Sequence, residues 1–215
     1  MVYGLVALNI ILFLYNGQLS PSSHNPLSSL VLIPAKLTGQ ADIGTIPAWM
    51  TIFTSMFLHG NWLHVLGNML YLWIFGNNIE DVLGHFKFLA FYLLAGTAAA
   101  LAQVFISPYA TIPMVGASGA IAGVLGAYLV LFPRARIVSW VVPFYVFELP
   151  ASIVLGFWII IQLFNSLFAS NKMMGGVAYA AHIGGFAAGV AMILLFGGRK
   201  LLHGRRPVEY GREYE

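Results

Sequence analysis

The stretch Val115-Gly116-Ala117-Ser118-Gly119-Ala120-Ile121-Ala122-Gly123-Val124-Leu125-Gly126 opens a long apolar run and contains one hydroxyl side chain, that of Ser118. A polar group at membrane depth is costly unless something binds or uses it. After the serine, small residues recur at helical spacing, and such stripes let membrane helices approach closely. The stretch therefore predicts a membrane helix that packs tightly against a partner helix and carries a serine of possible function at its head.

The composition predicts an integral membrane protein. Of the 215 residues, 60% are hydrophobic and 8% are charged, whereas soluble domains have about 25% charged residues. Residues 43–79 and 88–133 contain no Asp, Glu, Lys or Arg, and each stretch exceeds the roughly 20 residues that one helix needs to cross a bilayer. The chain has no cysteine, which excludes disulfides, thiolate metal sites and cysteine nucleophiles.

The apolar segments predict an all-α polytopic membrane protein, a bundle of six transmembrane helices with a long external first loop. Residues 1–198 form the membrane-embedded domain, and residues 199–215 form a basic cytoplasmic tail. The predicted spans are residues 2–15, 61–77, 86–106, 116–132, 151–168 and 177–196. Residues 16–46 form the first loop, and residues 47–60 lie at the membrane surface with Trp49 as an interfacial anchor. Pro143, Glu148 and Pro150 interrupt residues 137–149, so we expect a buried or re-entrant connection there.

Basic residues set the expected orientation. With both termini in the cytoplasm, eight of the ten basic residues lie inside, as the positive-inside rule requires. The inside set is Lys87, Arg134, Arg136, Arg199, Lys200, Arg205, Arg206 and Arg212, and the outside set is Lys36 and Lys172. We expect a prokaryotic plasma membrane protein whose functional site opens to the outside.

Four polar side chains are predicted to share one depth. In this orientation His64, Asn68, Ser118 and His182 all fall in the outer third of the bilayer, and His64 and Asn68 share a helix face. Small residues on the fourth and sixth spans would bring serine and histidine close enough for proton transfer. Packing or an interhelical hydrogen bond could explain each residue singly, but not their common depth.

Two further polar residues flank the second span. Glu80, at the cytoplasmic end of that span, is predicted to be a structural hydrogen-bond acceptor. His59 precedes the span, and its role as ligand, cap or packing residue stays open.

At this point the chain resembles the rhomboid family of intramembrane serine proteases. The matching motifs are His59-Gly60-Asn61-Trp62-Leu63-His64 with Gly67-Asn68-Met69, then Gly116-Ala117-Ser118-Gly119, and Ala181-His182-Ile183-Gly184-Gly185 with Gly189. The resemblance implies that Ser118 is the nucleophile, that His182 is the general base, and that His64 and Asn68 help to hold the oxyanion. It also implies that the substrates are single-span membrane proteins cut in or near the bilayer.

Two positions depart from the family pattern. Met50 follows Trp49, so the Trp-Arg pair of some members is missing from the first loop. Ala122 stands four residues after the serine, where many members carry an aromatic residue under the histidine ring. Tyr179, on the sixth span, is a candidate substitute for that ring.

The expected mechanism uses a Ser-His dyad because no acidic residue lies at the depth of His182. The oxyanion site would comprise His64, Asn68, Gly116 and Gly119, together with the backbone N–H of Ser118. We expect no cofactor, metal or nucleic-acid partner, and we expect a monomer to suffice for catalysis in the lipid bilayer. Entry of a transmembrane substrate would need a gate, for which the fifth span and residues 169–176 are the candidate.

Three other functions stay open from the sequence. A transporter or channel could use His64, Asn68 and His182 along a polar path, although the spans below them are apolar. A metalloprotease could bind zinc through His59, His64 and His182, although there is no HExxH motif. An inactive relative could bind membrane clients, which the presence of both Ser118 and His182 argues against.

Overall fold

The computed structural model describes residues 1–16, 26–41, 46–141, 145–168 and 178–202, and these are mostly helical, as predicted. The helices are α1 (Val2–Asn16), α2 (Pro34–Leu37), α3 (Thr51–Thr54), α4 (Trp62–Leu83), α5 (His85–Ile106), α6 (Ser118–Leu131), α7 (Ala151–Phe168) and α8 (Tyr179–Leu195). Short 3-10 turns cover Pro26–Leu30, Ala48–Met50, Ser55–Phe57 and Gly198–Leu202. Two strands, β1 (Arg136–Val141) and β2 (Tyr145–Pro150), lie between α6 and α7.

Two helices of the described chain, α5 and α7, are long and apolar enough by length and composition to cross a membrane. The other apolar helices α1, α6 and α8 are shorter. The 14 residues of α6 extend about 21 Å at 1.5 Å per residue, against a hydrocarbon core of about 30 Å. The six-span layout and its long external loop therefore stay predictions.

Helices α6 and α8 pack backbone against backbone, which confirms the predicted contact between their small-residue stripes. A Cβ atom built on Gly185 would lie 2.0 Å from the carbonyl oxygen of Gly119, and one on Gly126 would lie 2.3 Å from that of Phe186. Real Cβ atoms do not approach other atoms so closely, so glycine is required at both positions. The interface thus fixes the heads of α6 and α8 side by side.

The connection between α6 and α7 is an exposed hairpin, so the prediction that residues 137–149 are buried in the protein is wrong. The alternative prediction of a re-entrant segment stays a prediction. Strands β1 and β2 pair antiparallel, with Arg136 opposite Pro150 and Val138 opposite Glu148. The strands are rich in β-branched and aromatic residues, which favour extended structure. Val138 is 65% exposed and Tyr145 is 72% exposed. Residues 142–144, with Pro143, lie outside the described residues.

Helix α4 is longer than the predicted span, which ends at residue 77, because it continues past Glu80 and Asp81 to Leu83. It ends at Gly84, whose φ of +80° suits a glycine at the end of a helix. Glu80 is buried, accepts the backbone N–H of Val2 at 2.7 Å and pairs with His85. Its predicted role as a structural acceptor is confirmed.

The first loop is tied to the segment that precedes α6. Leu32 and Met114 form an antiparallel bridge in which the N–H of each donates to the carbonyl of the other, at 3.2 and 2.7 Å. The N–H of Ala35 also donates to the carbonyl of Ala110 at 3.0 Å. These backbone hydrogen bonds hold the segment that precedes Ser118 against the first loop.

The predicted surface segment, residues 47–60, buries one face. Ile52 and Met56 pack in a cluster with Ala99 of α5, whereas Trp49 is 60% exposed. A bilayer position for this segment, with Trp49 as its anchor, stays a prediction.

Candidate active site

Ser118 and His182 meet at the heads of α6 and α8. Ser118 is the first residue of α6, and His182 lies in the first turn of α8. The Ser118 Oγ is 2.9 Å from the His182 Nε2, within the range at which an imidazole takes a hydroxyl proton. Both side chains are partly buried. The close packing of α6 on α8 is what allows two residues so distant in sequence to make this contact.

His64 and Asn68 lie beside this pair, one turn apart on α4, and both line the same cavity as Ser118 and His182. Asn61 caps α4 by accepting the backbone N–H of His64 at 2.9 Å. The Asn68 Nδ2 donates to the His59 Nε2 at 3.0 Å. An amide nitrogen has two hydrogens, so Asn68 keeps a second donor for another acceptor.

His59 supports the α4 side chains, which answers the question that the sequence left open. Its side chain is 2% exposed, and its ring packs edge-on against that of His64 with centroids 5.1 Å apart. Burial, with a smaller contribution from the charge of His64, lowers the pKa of His59 to about 3. The ring is therefore neutral at physiological pH, and its Nε2 can accept from Asn68.

Gly116 and Gly119 are both required by close packing. Gly116 has a φ of +122°, and a Cβ built on it would lie 2.7 Å from the His64 Nε2. Its N–H donates to the Ser55 carbonyl at 2.9 Å. A Cβ on Gly119 would lie 2.6 Å from the Cβ of Ala99. The Gly116 N–H is therefore bonded to the segment of residues 47–60, while the missing Cβ leaves room for His64.

The sequence reasoning missed Gln162 and Trp158, which contact His182 from α7. The Gln162 Oε1 lies 2.8 Å from the His182 Nδ1. The Trp158 ring lies over the histidine ring with centroids 5.7 Å apart and an interplanar angle of 34°. The ring against His182 thus comes from Trp158 and not from Tyr179. The signal was present, because a glutamine within an apolar span is as costly in lipid as the serine and histidines that were considered.

A cavity of about 480 Å³ is lined by residues of α4, α6 and α8. Ser118, His182, His64 and Asn68 contribute its polar wall, and the remainder includes apolar side chains such as Leu32, Ile52, Met56 and Met114. A cavity with a few convergent polar groups on a mainly apolar lining is typical of a site for an organic ligand. Within the described residues, His59, His64 and His182 are not part of any group that could hold a metal ion.

Residues 47–199, which carry all of these side chains except Leu32, match the model of the rhomboid domain. The chain belongs to the rhomboid family. Rhomboid family members are integral membrane proteins, in agreement with the apolar composition. The match covers residues 47–60, the hairpin and helices α4 to α8. It therefore includes every element that lines the cavity except the first loop, which contributes Leu32.

Curated rhomboids from several lineages are similar to this chain. Rhomboid protein 1, mitochondrial, of Saccharomyces cerevisiae is 33% identical over 66% of this chain and 40% of its own length. Rhomboid protease GluP of Bacillus subtilis is 36% identical over 59% of this chain and 24% of its own length. Rhomboid protease AarA of Providencia stuartii is 29% identical over 89% of this chain and 70% of its own length.

These relatives bear on source and extent. The chain spans less than half the length of the yeast and Bacillus proteins that it matches. Because rhomboids of mitochondria and of bacteria both match, the comparisons do not support the expected prokaryotic origin over a eukaryotic one.

Proposed function

We propose that this rhomboid is an intramembrane serine endopeptidase that cleaves single-span membrane proteins, with Ser118 as nucleophile and His182 as general base. The observation that carries the proposal is the 2.9 Å hydrogen bond between the Ser118 Oγ and the His182 Nε2 at the wall of a cavity shared with His64 and Asn68. The Bacillus and Providencia relatives are named as rhomboid proteases, which supports the same class of reaction.

The chemistry follows from the orientation of the imidazole. Ser118 attacks the carbonyl carbon of the scissile peptide bond while its proton passes to the His182 Nε2. The tetrahedral intermediate collapses as His182 gives that proton to the leaving amine, which leaves an acyl ester on Ser118. Water, deprotonated by the same Nε2, then attacks the ester and releases the new carboxyl group and the free serine.

Negative charge develops on the carbonyl oxygen during attack, and three groups can meet it. Asn68, His64 and Ser118 all line the cavity, and the candidate donors are the second hydrogen of the Asn68 amide, the His64 ring and the backbone N–H of Ser118. The backbone N–H of Ser118 belongs to the first turn of α6. Backbone donors there lack partners within the helix, and the helix dipole favours an anion. Removing one such donor typically costs about a hundredfold to a thousandfold in rate.

The substrate must present an extended backbone to this site. A helix hides its carbonyl oxygens in its own hydrogen bonds, so a transmembrane substrate has to unwind locally before Ser118 can reach one. We therefore expect cleavage near small or helix-breaking residues. From the distribution of basic residues, we expect the cavity to face the outer side of the membrane and both termini to lie on the inner side. The gate proposed at residues 169–176 lies outside the described residues.

The test is cleavage of a panel of single-span peptides by the purified protein in detergent. Ser118→Ala and His182→Ala should each abolish cleavage without changing the thermal unfolding profile, and Ser152→Ala, the same change at an exposed position of α7, should cleave normally. A fluorophosphonate should modify Ser118, as located by mass spectrometry of the labelled peptide. Full activity in Ser118→Ala would exclude the proposed nucleophile.

A further inference from the structure

Gln162 lies on the one face of α7 that turns into the molecule. Ala151, Leu155 and Gln162 are buried and Trp158 is partly buried, and their spacing of three or four residues defines a single helical stripe. The opposite side of α7 is apolar and exposed, for example at Phe157, Ile160 and Leu167. Gln162 is the polar member of this otherwise apolar stripe, so its hydrogen bond to His182 is the feature to explain.

The partner atoms determine which nitrogen of His182 carries the proton. The Gln162 Oε1 is a carbonyl oxygen and can only accept, so the His182 Nδ1 at 2.8 Å must donate to it. In a neutral imidazole the other nitrogen is then an acceptor. That nitrogen is the Nε2, and the Ser118 hydroxyl is 2.9 Å from it. The chain Ser118 to His182 to Gln162 therefore runs in one direction, with each group donating to the next.

Trp158 limits the motion of the same ring from the same helix. Its indole lies over His182 and also contacts Phe186 of α8, with centroids 6.1 Å apart. The ring contact fixes the plane of the imidazole, and the Gln162 bond fixes its rotation within that plane. Both restraints come from α7. This helix is less buried than α5, since 17% of its residues are buried, against 44% in an 18-residue stretch of α5.

We propose that Gln162 is a positioning residue that holds His182 in the tautomer with its proton on Nδ1. The packing of α7 against α8 then leaves the His182 Nε2 able to accept the proton of Ser118. This inference rests on the proposed protease function. When α7 is docked, Nε2 is free to accept the serine proton. When the Gln162 bond is lost, the ring can rotate or carry its proton on Nε2, and then it has no lone pair to offer Ser118.

Proton transfer along the hydrogen bonds from Ser118 to His182 to Gln162 needs no aspartate or glutamate side chain. The Ser118 proton moves to Nε2 as the Oγ–C bond forms, and the Nδ1 proton stays on the ring, hydrogen-bonded to the Gln162 oxygen. The resulting imidazolium has two donors, one toward Gln162 and one toward the leaving nitrogen. Gln162 gives and takes no proton, which distinguishes it from a carboxylate that would also stabilise the charge.

The test compares Gln162→Leu and Gln162→Glu with a matched control, Asn165→Leu, which makes the same amide-to-leucine change one turn along α7. Gln162→Leu should lower kcat and the rate of fluorophosphonate labelling of Ser118 by about tenfold to a hundredfold, with little change in KM. Gln162→Glu keeps the acceptor, so its rate at alkaline pH should exceed that of the leucine variant. Asn165→Leu should retain the activity of the unmodified chain.

The pH–rate profile separates positioning from simple packing. A carboxylate next to the imidazole stabilises its protonated form, so Gln162→Glu should move the acidic limb of the profile to higher pH. Among the described residues that line the cavity, His64 on α4 is the titratable side chain besides His182, and it is unchanged in all three variants. If Gln162 only packed against its neighbours, the leucine variant would be more active than the glutamate variant at every pH, because the rest of this stripe is apolar.

A spectroscopic measurement covers a variant that proves difficult to assay. In ¹⁵N-histidine spectra, with the signal assigned by its loss in His182→Ala, the His182 Nδ1 should carry the proton in the unmodified chain and should lose that preference in Gln162→Leu. Normal kcat with an unchanged tautomer in Gln162→Leu overturns the inference and leaves the protease proposal intact. Activity in Ser118→Ala overturns both.

Discussion

The backbone of Gly189 rests directly on that of Gly123, since a Cβ on Gly189 would lie 2.0 Å from the Gly123 carbonyl oxygen and 2.6 Å from its Cα. Backbone atoms cannot move aside as the end of a flexible side chain can. This contact and its neighbour at Gly185 hold α8 against α6, so the distance between Ser118 and His182 depends on two glycines that perform no chemistry.

Gly189→Ala should therefore separate the two helices. Overpacking of a well-packed interior typically costs about 1–3 kcal/mol, and we expect a lower unfolding temperature in detergent together with a loss of activity. Gly156→Ala is the control, because a Cβ on Gly156 would have no atom within 4 Å and alanine favours a helix by up to about 1 kcal/mol. Equal stability of the two variants would contradict the packing argument.

Gly116→Ala should reduce activity more than stability. The backbone there has a φ of +122°, which an alanine rarely adopts, and the new Cβ would press on the His64 Nε2 at 2.7 Å. Displacing His64 from the oxyanion should lower kcat on the order of a hundredfold. Gly67→Ala adds the same methyl group on α4, next to Asn68, with no atom within 4 Å. It should retain normal kcat, and a Gly116→Ala protein that does so as well would argue against a role for this contact.

His59 should make the folded state sensitive to acid. Burial lowers its pKa to about 3 in the folded protein, whereas the unfolded chain takes up the proton near about 6.5. Below that value the unfolded state binds more protons, so stability should fall as pH decreases from about 6.5 toward about 3. The check is thermal unfolding in detergent as a function of pH. The slope should be smaller in His59→Gln, and an identical slope would show that other groups dominate.

The orientation of the chain can be tested directly because it has no native cysteine. Lys36→Cys is expected on the outside and Lys87→Cys on the inside, according to the distribution of basic residues. A membrane-impermeant maleimide applied to intact cells or right-side-out vesicles should therefore modify the first variant and not the second until the membrane is opened. The reverse pattern would invert the predicted topology and move the cavity to the inner side.

The sequence predicted those features that depend on residues in a regular pattern. The small residues of α6 and α8 recur at helical spacing, so their contact followed from the helical repeat, and the meeting of Ser118 with His182 followed from that contact. Gln162 was missed although an amide within an apolar span is a signal of function, because α7 has no stripe of small residues that would indicate which helix its inner face contacts. The hairpin was missed for a different reason. Proline and glutamate are typical breaks in a buried apolar segment, whereas Glu148 and Pro150 belong to β2, which is one of two short, exposed strands. Strand formation depends more on such context than helix formation does.

Tyr92 offers a final test of what polar atoms contribute inside this bundle. Its side chain is fully buried in α5, and within the described residues its hydroxyl has no hydrogen-bond partner. A buried hydroxyl without a partner costs about 1–3 kcal/mol, so Tyr92→Phe should leave the unfolding temperature unchanged or raise it. Gln103, on the same helix, is also buried, but its Oε1 accepts the N–H of Ala181 in the first turn of α8. Gln103→Leu should therefore destabilise the protein by about 1 kcal/mol and lower activity as well, since it releases the turn that carries His182. A loss of stability in Tyr92→Phe equal to that in Gln103→Leu would mean that the Tyr92 hydroxyl has a partner after all, and a buried water would then be the first candidate.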